Sequence, residues 1–471
     1  MAVAAALGAL LIGCRPSDVL SVPPPSGVTA SSAYQSQSGA ELLLAQGRAQ
    51  IFAGYAQGFP AVLGYSGLLG DEFEWTFFSE AANRANVDAR ITAGGDGYVE
   101  GGDGGLESLL GGRTTLLSAL PWLEQYEPAS GQSKVGEAFA LIGYTELLIA
   151  EDYCAGIPLG RLLPGGGVQY GTPLTTDSLL ATAEVDLDSA AAHAGGDPTI
   201  TGLAQVGLAR AELDRGQFAQ ATAALSGVPT SFVYNVELEP GAFTSGGPNA
   251  FNVYDEEAQG HTCGWLNVAD GKGGNGLDYV SAQDPRLVLS TAVAVTCDAF
   301  YAGSADSVWY YPVKFGNPST DIPLASGIEA RLMEAEGDLN ANQPGAWADA
   351  LNALRADSGD TKVVFQAALP TDSTTGAIAA TQVDVMFRER AFWLYGTGAR
   401  LGDMRRLIRQ YGRDQSTVFP VGPYPNANNP RLPAPLPSYG TDVSLTLPTA
   451  SAGVSDPNPS YKGCLTSTKV A

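Results

Sequence analysis

The sequence predicts a mainly α fold, a tetratricopeptide-like scaffold of helical hairpins carrying large irregular loop and short-strand insertions. Three observations carry that expectation. Apolar residues recur at helical spacing in several segments, two of which fold back on themselves across a short turn. Between the two hairpins lies a stretch rich in aromatic residues and glycine, with no helical period. The 471 residues are 45% hydrophobic and only 16% charged, enough to build one large core.

In chain order, the first helix is expected from Tyr34 to Gln57, with Leu42, Leu43, Ala49, Phe52 and Ala53 available for one face. Val135, Phe139, Ile142 and Ile149 mark a second, ending at Glu151-Asp152-Tyr153. Thr176 to His193 forms a third, with Asp177 as its cap and Leu180, Val185 and Leu187 among its apolar positions. The clearest unit runs from Thr201 to Gly227. There Leu203, Val206 and Leu213 precede a turn at Arg215-Gly216, and Ala219, Ala223 and Leu225 follow it, so that Gly207 and Ala219 allow close helix contact across the hairpin. A second hairpin is marked by Ile328, Leu332, Ala335 and Leu339, then Trp347, Leu351 and Leu354. The two hairpins are too divergent and too far apart for a regular solenoid. Residues 229–320 read as an insertion lobe with a few strands, holding Phe232, Tyr234, Phe243, Phe251, Tyr254, Trp265, Trp309, Tyr310 and Tyr311. Trp122, Trp347 and Trp393 keep helical periodicity and are assigned to core packing.

Charge and motifs exclude several functions. A net charge of -24 repels phosphate backbones, so nucleic acid is not an expected partner. The sequence contains no phosphate-cradling P-loop, no G-x-S-x-G elbow and no H-E-x-x-H, and no enzyme activity, cofactor or metal is expected. The glycine- and aspartate-rich loop 94–104 lacks the full Asp-x-Asp-x-Asp-Gly spacing of a calcium loop and reads as a turn.

The amino end has its own character. Residues 1–13 form an apolar run of the length of an export signal, too short to span a bilayer, ending in Leu10-Leu11-Ile12-Gly13-Cys14. That ending resembles a lipobox, in which the cysteine thiol is acylated, so Cys14 is expected to carry a lipid and residues 14–33, with Pro23-Pro24-Pro25, to act as a tether. No Lys or Arg precedes Cys14, so the positive part of such a signal is expected upstream of Met1. Export implies an oxidising compartment, and the remaining four cysteines allow three pairings. Cys263 with Cys297 and Cys154 with Cys464 are favoured, because the first pair brackets a single insertion and the second staples the tail to the body.

One segment is more specific than the rest. Glu389-Arg390, Trp393-Leu394 and Gly398-Ala399-Arg400-Leu401-Gly402-Asp403-Met404-Arg405-Arg406 closely resemble the carboxy-terminal signature of SusD/RagB-like nutrient-binding lipoproteins, roughly E-R-x-x-E-L-x-F-E-G-x-R-x-x-D-L-R-R, with no gap in register. Trp393, Gly396 and Thr397 stand where that family has Glu, Phe and Glu. Asp152-Tyr153-Cys154-Ala155-Gly156-Ile157-Pro158-Leu159, Asp284-Pro285-Arg286 and the helix from Glu329 to Asn340 are similar to further family motifs in the same order. The resemblance spans nearly all of residues 34–471, which are read as a single SusD-like domain. It implies a cell-surface lipoprotein of the outer membrane, held by its lipid alone, that captures oligosaccharides or peptides for a SusC-like TonB-dependent transporter. A tetratricopeptide-like adaptor binding envelope proteins is the alternative. Glu389, Arg390, Arg400, Asp403 and Arg406 are expected to be structural, as paired charges between helices.

Sugars offer apolar C–H faces beside hydroxyls, so their receptors combine exposed rings with amide, carboxylate and guanidinium groups. The stretch from Asp71 to Phe78, followed by Asn83 and Arg84, mixes both kinds. By position, the resemblance implies ligand contacts at Trp75 and Phe77. It implies a second set in the lobe, with Tyr254, Trp265, Trp309 and Tyr310 as candidates.

Overall fold

The computed structural model describes residues 35–57, 61–75, 82–92, 105–127, 132–163, 167–238, 266–293, 308–315, 320–356, 380–425, 437–448 and 458–471. Among these residues it is mainly α-helical, with thirteen helices and only short strands.

Helix α1 (Gln37–Ala56) begins at Ser36, whose hydroxyl accepts from the Gly39 amide at 3.1 Å. Its inward face is Leu43, Leu44, Gly47, Ile51, Phe52 and Tyr55, while Leu42 is left 58% exposed. α2 (Val62–Leu69) is buried at every position, which removes the polar face that makes a helix readable in sequence. After the short α3 (Ala82–Asp88) comes α4 (Gly105–Tyr126), which holds Pro121 and the pair Gly111-Gly112 and therefore has weak local helix signals. Tertiary contact explains the glycine: a Cβ on Gly112 would meet Ile51 of α1 at 2.5 Å, so its absence lets the two axes close.

From α4 the helices stack in succession. α5 (Ser133–Asp152), α6 (Thr176–Ala192), α7 (Pro198–Asp214) and α8 (Phe218–Ala224) each pack on the one before, then α9 (Gly327–Asn340) and α10 (Pro344–Ala356) continue the series. The cap of α6 is Thr175, whose hydroxyl accepts from Ser178 N at 3.1 Å, whereas Asp177, expected as the cap, turns to Arg215 at 3.0 Å. The expected contact of Gly207 with Ala219 is also corrected. A Cβ on Gly207 would strike Leu187 of α6 and Tyr144 of α5 at 2.7 Å, so the small residue serves the packing of three helices rather than its own hairpin. Val185, expected on the apolar face of α6, is 64% exposed.

The strands form four antiparallel ribbons: β1 (Phe73–Trp75) with β5 (Leu266–Val268), β2 (Arg161–Leu162) with β3 (Val168–Gln169), β4 (Val233–Val236) with β8 (Ile322–Ser326), and β6 (Leu289–Val293) with β7 (Val308–Pro312). β4 follows α8 and β8 leads into α9, so this ribbon closes the neck of the insertion lobe against the helices. α11 (Ala380–Trp393), α12 (Ala399–Arg409) and the short α13 (Gln415–Val418) complete the helices. Trp347 lies in the core at 1% exposure, with Trp122 and Trp393 half-buried against it.

The last residues are fastened to the body. Cys154, just past α5, forms a disulfide with Cys464 at a Cα separation of 5.6 Å, and Cys154 N donates to Leu445 O at 2.9 Å. Cys14, the signal at 1–13, the tether at 14–33, the loop 94–104, Cys263 and Cys297 lie outside the described residues. No described helix is long and apolar enough to cross a membrane.

Candidate functional site

The candidate segment Asp71–Trp75 is fixed from below by the signature helices. Arg400 at the start of α12 clamps Asp71 with two hydrogen bonds, Nε to Oδ1 at 2.6 Å and Nη2 to Oδ2 at 2.8 Å. Burial alone would raise the Asp71 carboxyl, but the Arg400 guanidinium holds it below its ordinary value. Glu72 accepts from Gly396 N at 2.9 Å through Oε1, while its Oε2 is buried with no partner, and burial pushes this carboxyl up to about 7. The Tyr395 hydroxyl donates to the Glu72 carbonyl at 2.9 Å, and the Tyr395 ring meets Phe73 edge-on at 5.7 Å. From the other side, Lys272 pairs with Asp88 at 2.6 Å and donates to the carbonyls of Leu68, Gly70 and Phe73, closing the carboxy end of α2.

Those signature helices are themselves locked by charge. Gly398 enters α12 at φ +70, a conformation that favours glycine, and the chain turns there from α11 into α12. Glu389 receives Arg286 at 2.9 Å and Arg355 at 3.0 Å, and Arg286 is doubly bonded to Asp284. Asp403 receives Arg390 at 2.7 Å and Arg406 at 2.8 Å; burial would raise it, yet the two guanidiniums bring it down to about 2. Arg406 extends the network to Glu336 of α9 at 2.5 Å and Asp214 of α7 at 3.2 Å. Arg210 binds Glu151 at 2.5 Å and Glu329 at 3.4 Å in the same interior. Glu389 and Asp403 are 1% and 2% exposed and occupied by arginine.

On this base, segments far apart in sequence converge. Trp75 stands opposite Leu266 and Glu74 opposite Asn267, and the Asn267 side-chain oxygen accepts from Tyr310 N at 2.9 Å, tying β1, β5 and β7 together. Strand alternation then decides which side chains face out. Phe73 and Trp75 point inward and are each 1% exposed, so Trp75 is corrected from a ligand platform to a core residue. Glu74 between them is half-buried, and burial, reinforced by Asp88, raises its carboxyl to about 7. On β7, Tyr310 is half-buried against the core and Tyr311 is 40% exposed. Asn83 and Arg84 fall in α3; their side chains, and that of Trp309 opposite Ala292 on β7, lie outside the described residues. Phe77, Tyr254 and Trp265 lie outside the described residues. Asn267 was missed in the sequence because a single amide carries no pattern. What the described edge offers is the Glu74 carboxyl beside the Asn267 amide, with the Tyr311 ring exposed on the adjoining β7; carboxylate and amide bond hydroxyls, and an exposed ring stacks on an apolar face. Among the described residues no cluster of His, Cys, Asp or Glu could hold a metal ion.

No family model and no curated protein matches the sequence. Solved structures do. A laminarin-binding SusD-like protein shares 15% identity at TM-score 0.56, with 82% of this chain and 96% of that one covered. Surface glycan-binding protein A from Bacteroides thetaiotaomicron, in complex with laminarihexaose, shares 12% identity at TM-score 0.57, covering 82% and 92%. Surface glycan-binding protein A from Bacteroides uniformis shares 14% at TM-score 0.56, covering 92% and 96%. At such identities it is the fold that is shared, and the chain has the SusD-like fold.

Proposed function

We propose that this chain, built on the SusD-like fold, belongs to the SusD-like proteins and is a non-catalytic surface receptor that captures oligosaccharides. Acylated at Cys14, it is held on the outer membrane and passes its ligand to a SusC-like TonB-dependent transporter. The observation that carries the reading is the match over most of the chain to proteins described as binding laminarin or as surface glycan-binding. The meeting of β1, β5 and β7, with Glu74 opposite Asn267, the Tyr310 amide bonded to Asn267 and the Tyr311 ring exposed on the same strand, supports a site at that edge. A net charge of -24 favours neutral ligands over polyanions. Binding there is stacking of a sugar face on a ring, with carboxylate and amide groups taking hydroxyls.

Calorimetry with laminarin oligosaccharides and, in parallel, with peptides of similar size tests the ligand class. Saturable binding of a glycan that weakens in Tyr310→Ala, with thermal unfolding kept, supports the reading; binding of peptides alone makes it a peptide receptor. Purification from an outer membrane with a β-barrel partner tests delivery, and mass spectrometry of the first cysteine tests the anchor.

A further inference from the structure

Away from the ribbons, a cavity of 410 Å³ opens where the amino end of α6, the carboxy end of α12 and residues 465–471 meet. Arg405 and Arg409, one turn apart on α12, both line it. Arg405 is 2% exposed and uses Nη1, donating to the carbonyls of Ala150 at 3.0 Å, Tyr153 at 3.2 Å and Glu151; its Nε is buried without an acceptor. Arg409 likewise buries Nη1 without an acceptor.

Charge is what separates these two from their neighbours. Arg390, Arg400 and Arg406 each have a carboxylate, whereas no ion pair within 4.0 Å forms at Arg405 or Arg409 among the described residues. The cavity's own acids are engaged elsewhere: Asp214 Oδ1 with Arg406 at 3.2 Å and Asp177 with Arg215 at 3.0 Å. Burial lowers both arginines, Arg405 to about 9, and the more distant carboxylates Asp214 and Glu151 offset that desolvation only in part. The opposite wall is the start of α6 at Thr175 and Thr176, the positive end of that helix dipole. Asp214 Oδ2 is buried without a hydrogen-bond donor, leaving one open acceptor in the wall.

We propose that this cavity is a second binding site, taking the carboxylate of a small polyhydroxy acid, the chemistry of an acidic sugar. The carboxylate lies against Arg405 and Arg409, a hydroxyl donates to Asp214, and Leu180 and Leu465 flank the carbon frame. A volume of 410 Å³ accommodates such a ring. The site is separate from the ribbon edge and independent of what that edge binds.

Titration calorimetry of the full chain with D-glucuronate, D-glucose and L-alanine tests it. Glucuronate is expected to saturate a single site that glucose and alanine do not occupy. Arg409→Gln, a half-buried position outside the ion-pair network, weakens it at least about tenfold, while thermal unfolding and neutral oligosaccharide binding stay unchanged. Leu465→Trp, placed at a position 51% exposed on the cavity's wall, blocks it without altering charge. Glucose binding equal to glucuronate, no saturation by glucuronate, or an affinity unmoved by both substitutions overturns the proposal; alanine binding in place of glucuronate overturns the sugar-acid assignment.

Discussion

At the scale of the residue, one strand separates core from surface. Phe73 and Trp75 are each 1% exposed, so Trp75→Ala is expected to cost roughly 3–5 kcal/mol of stability, seen as a lower denaturant midpoint. Loss of ligand affinity with an unchanged midpoint would place the indole at the surface instead. On β7 alternation sends the two neighbouring tyrosines to opposite faces, Tyr310 half-buried against the core and Tyr311 40% exposed. A second residue-scale expectation concerns pH. Burial raises Glu72 from 4.5 and Asp152 from 3.8, each to about 7, so both fold preferentially as neutral acids. Their contribution is complete below the ordinary carboxylate values and is lost as pH rises through about 7. Asp403, held at about 2, and Asp71, also lowered, act in reverse: their stabilisation is present above 3.8 and fades as pH falls. Calorimetric unfolding across pH should therefore peak in acidic solution, and Glu72→Gln should flatten the decline between about pH 4.5 and 7. A melting temperature that climbs steadily from about pH 4.5 to 7 would contradict this.

At the scale of the element, α12 is the joint of the molecule. Residues 399–407 are buried throughout, and four of them, Arg400, Asp403, Arg405 and Arg406, are charged. Such a helix is stable only because acids from α7, α9 and the Asp71 segment reach it. Arg406→Ala removes a cation shared by Asp403, Glu336 and Asp214 and leaves buried carboxylates facing one another. Urea unfolding should show a loss of about 3–5 kcal/mol, and the loss should shrink when Glu336→Gln is present in the same chain. Additive losses would mean that the two side chains are not coupled. α1, α5, α6, α7, α9 and α10 were legible from apolar spacing over long segments, although α5 is buried on every side from Ala140 to Asp152. α2 was not, because it is only eight residues long and has no polar face, and α4 was not, because its glycines and Pro121 weaken the local signal while the fit against α1 stabilises it.

For the molecule as a whole, the helical succession and the irregular lobe were foreseeable, and so was the link from Cys154 to Cys464. That bond spans 310 residues, so its chain-entropy contribution reaches about 5 kcal/mol, and Cys464→Ser should lower the melting temperature under oxidising conditions. A wild-type melting temperature unaffected by reductant would argue against the bond. Taken alone, the sequence determined the fold class, the order of helices and the register of the signature around Glu389 and Arg400, because these are written in local periodicity and contiguous residues. Tertiary structure alone decided which carboxylate each arginine meets, which face of β1 carries Trp75, and that β1, β5 and β7 share one edge. Those facts depend on distances closed over hundreds of residues and on strand register, where a shift of one position turns a surface ring into a core ring.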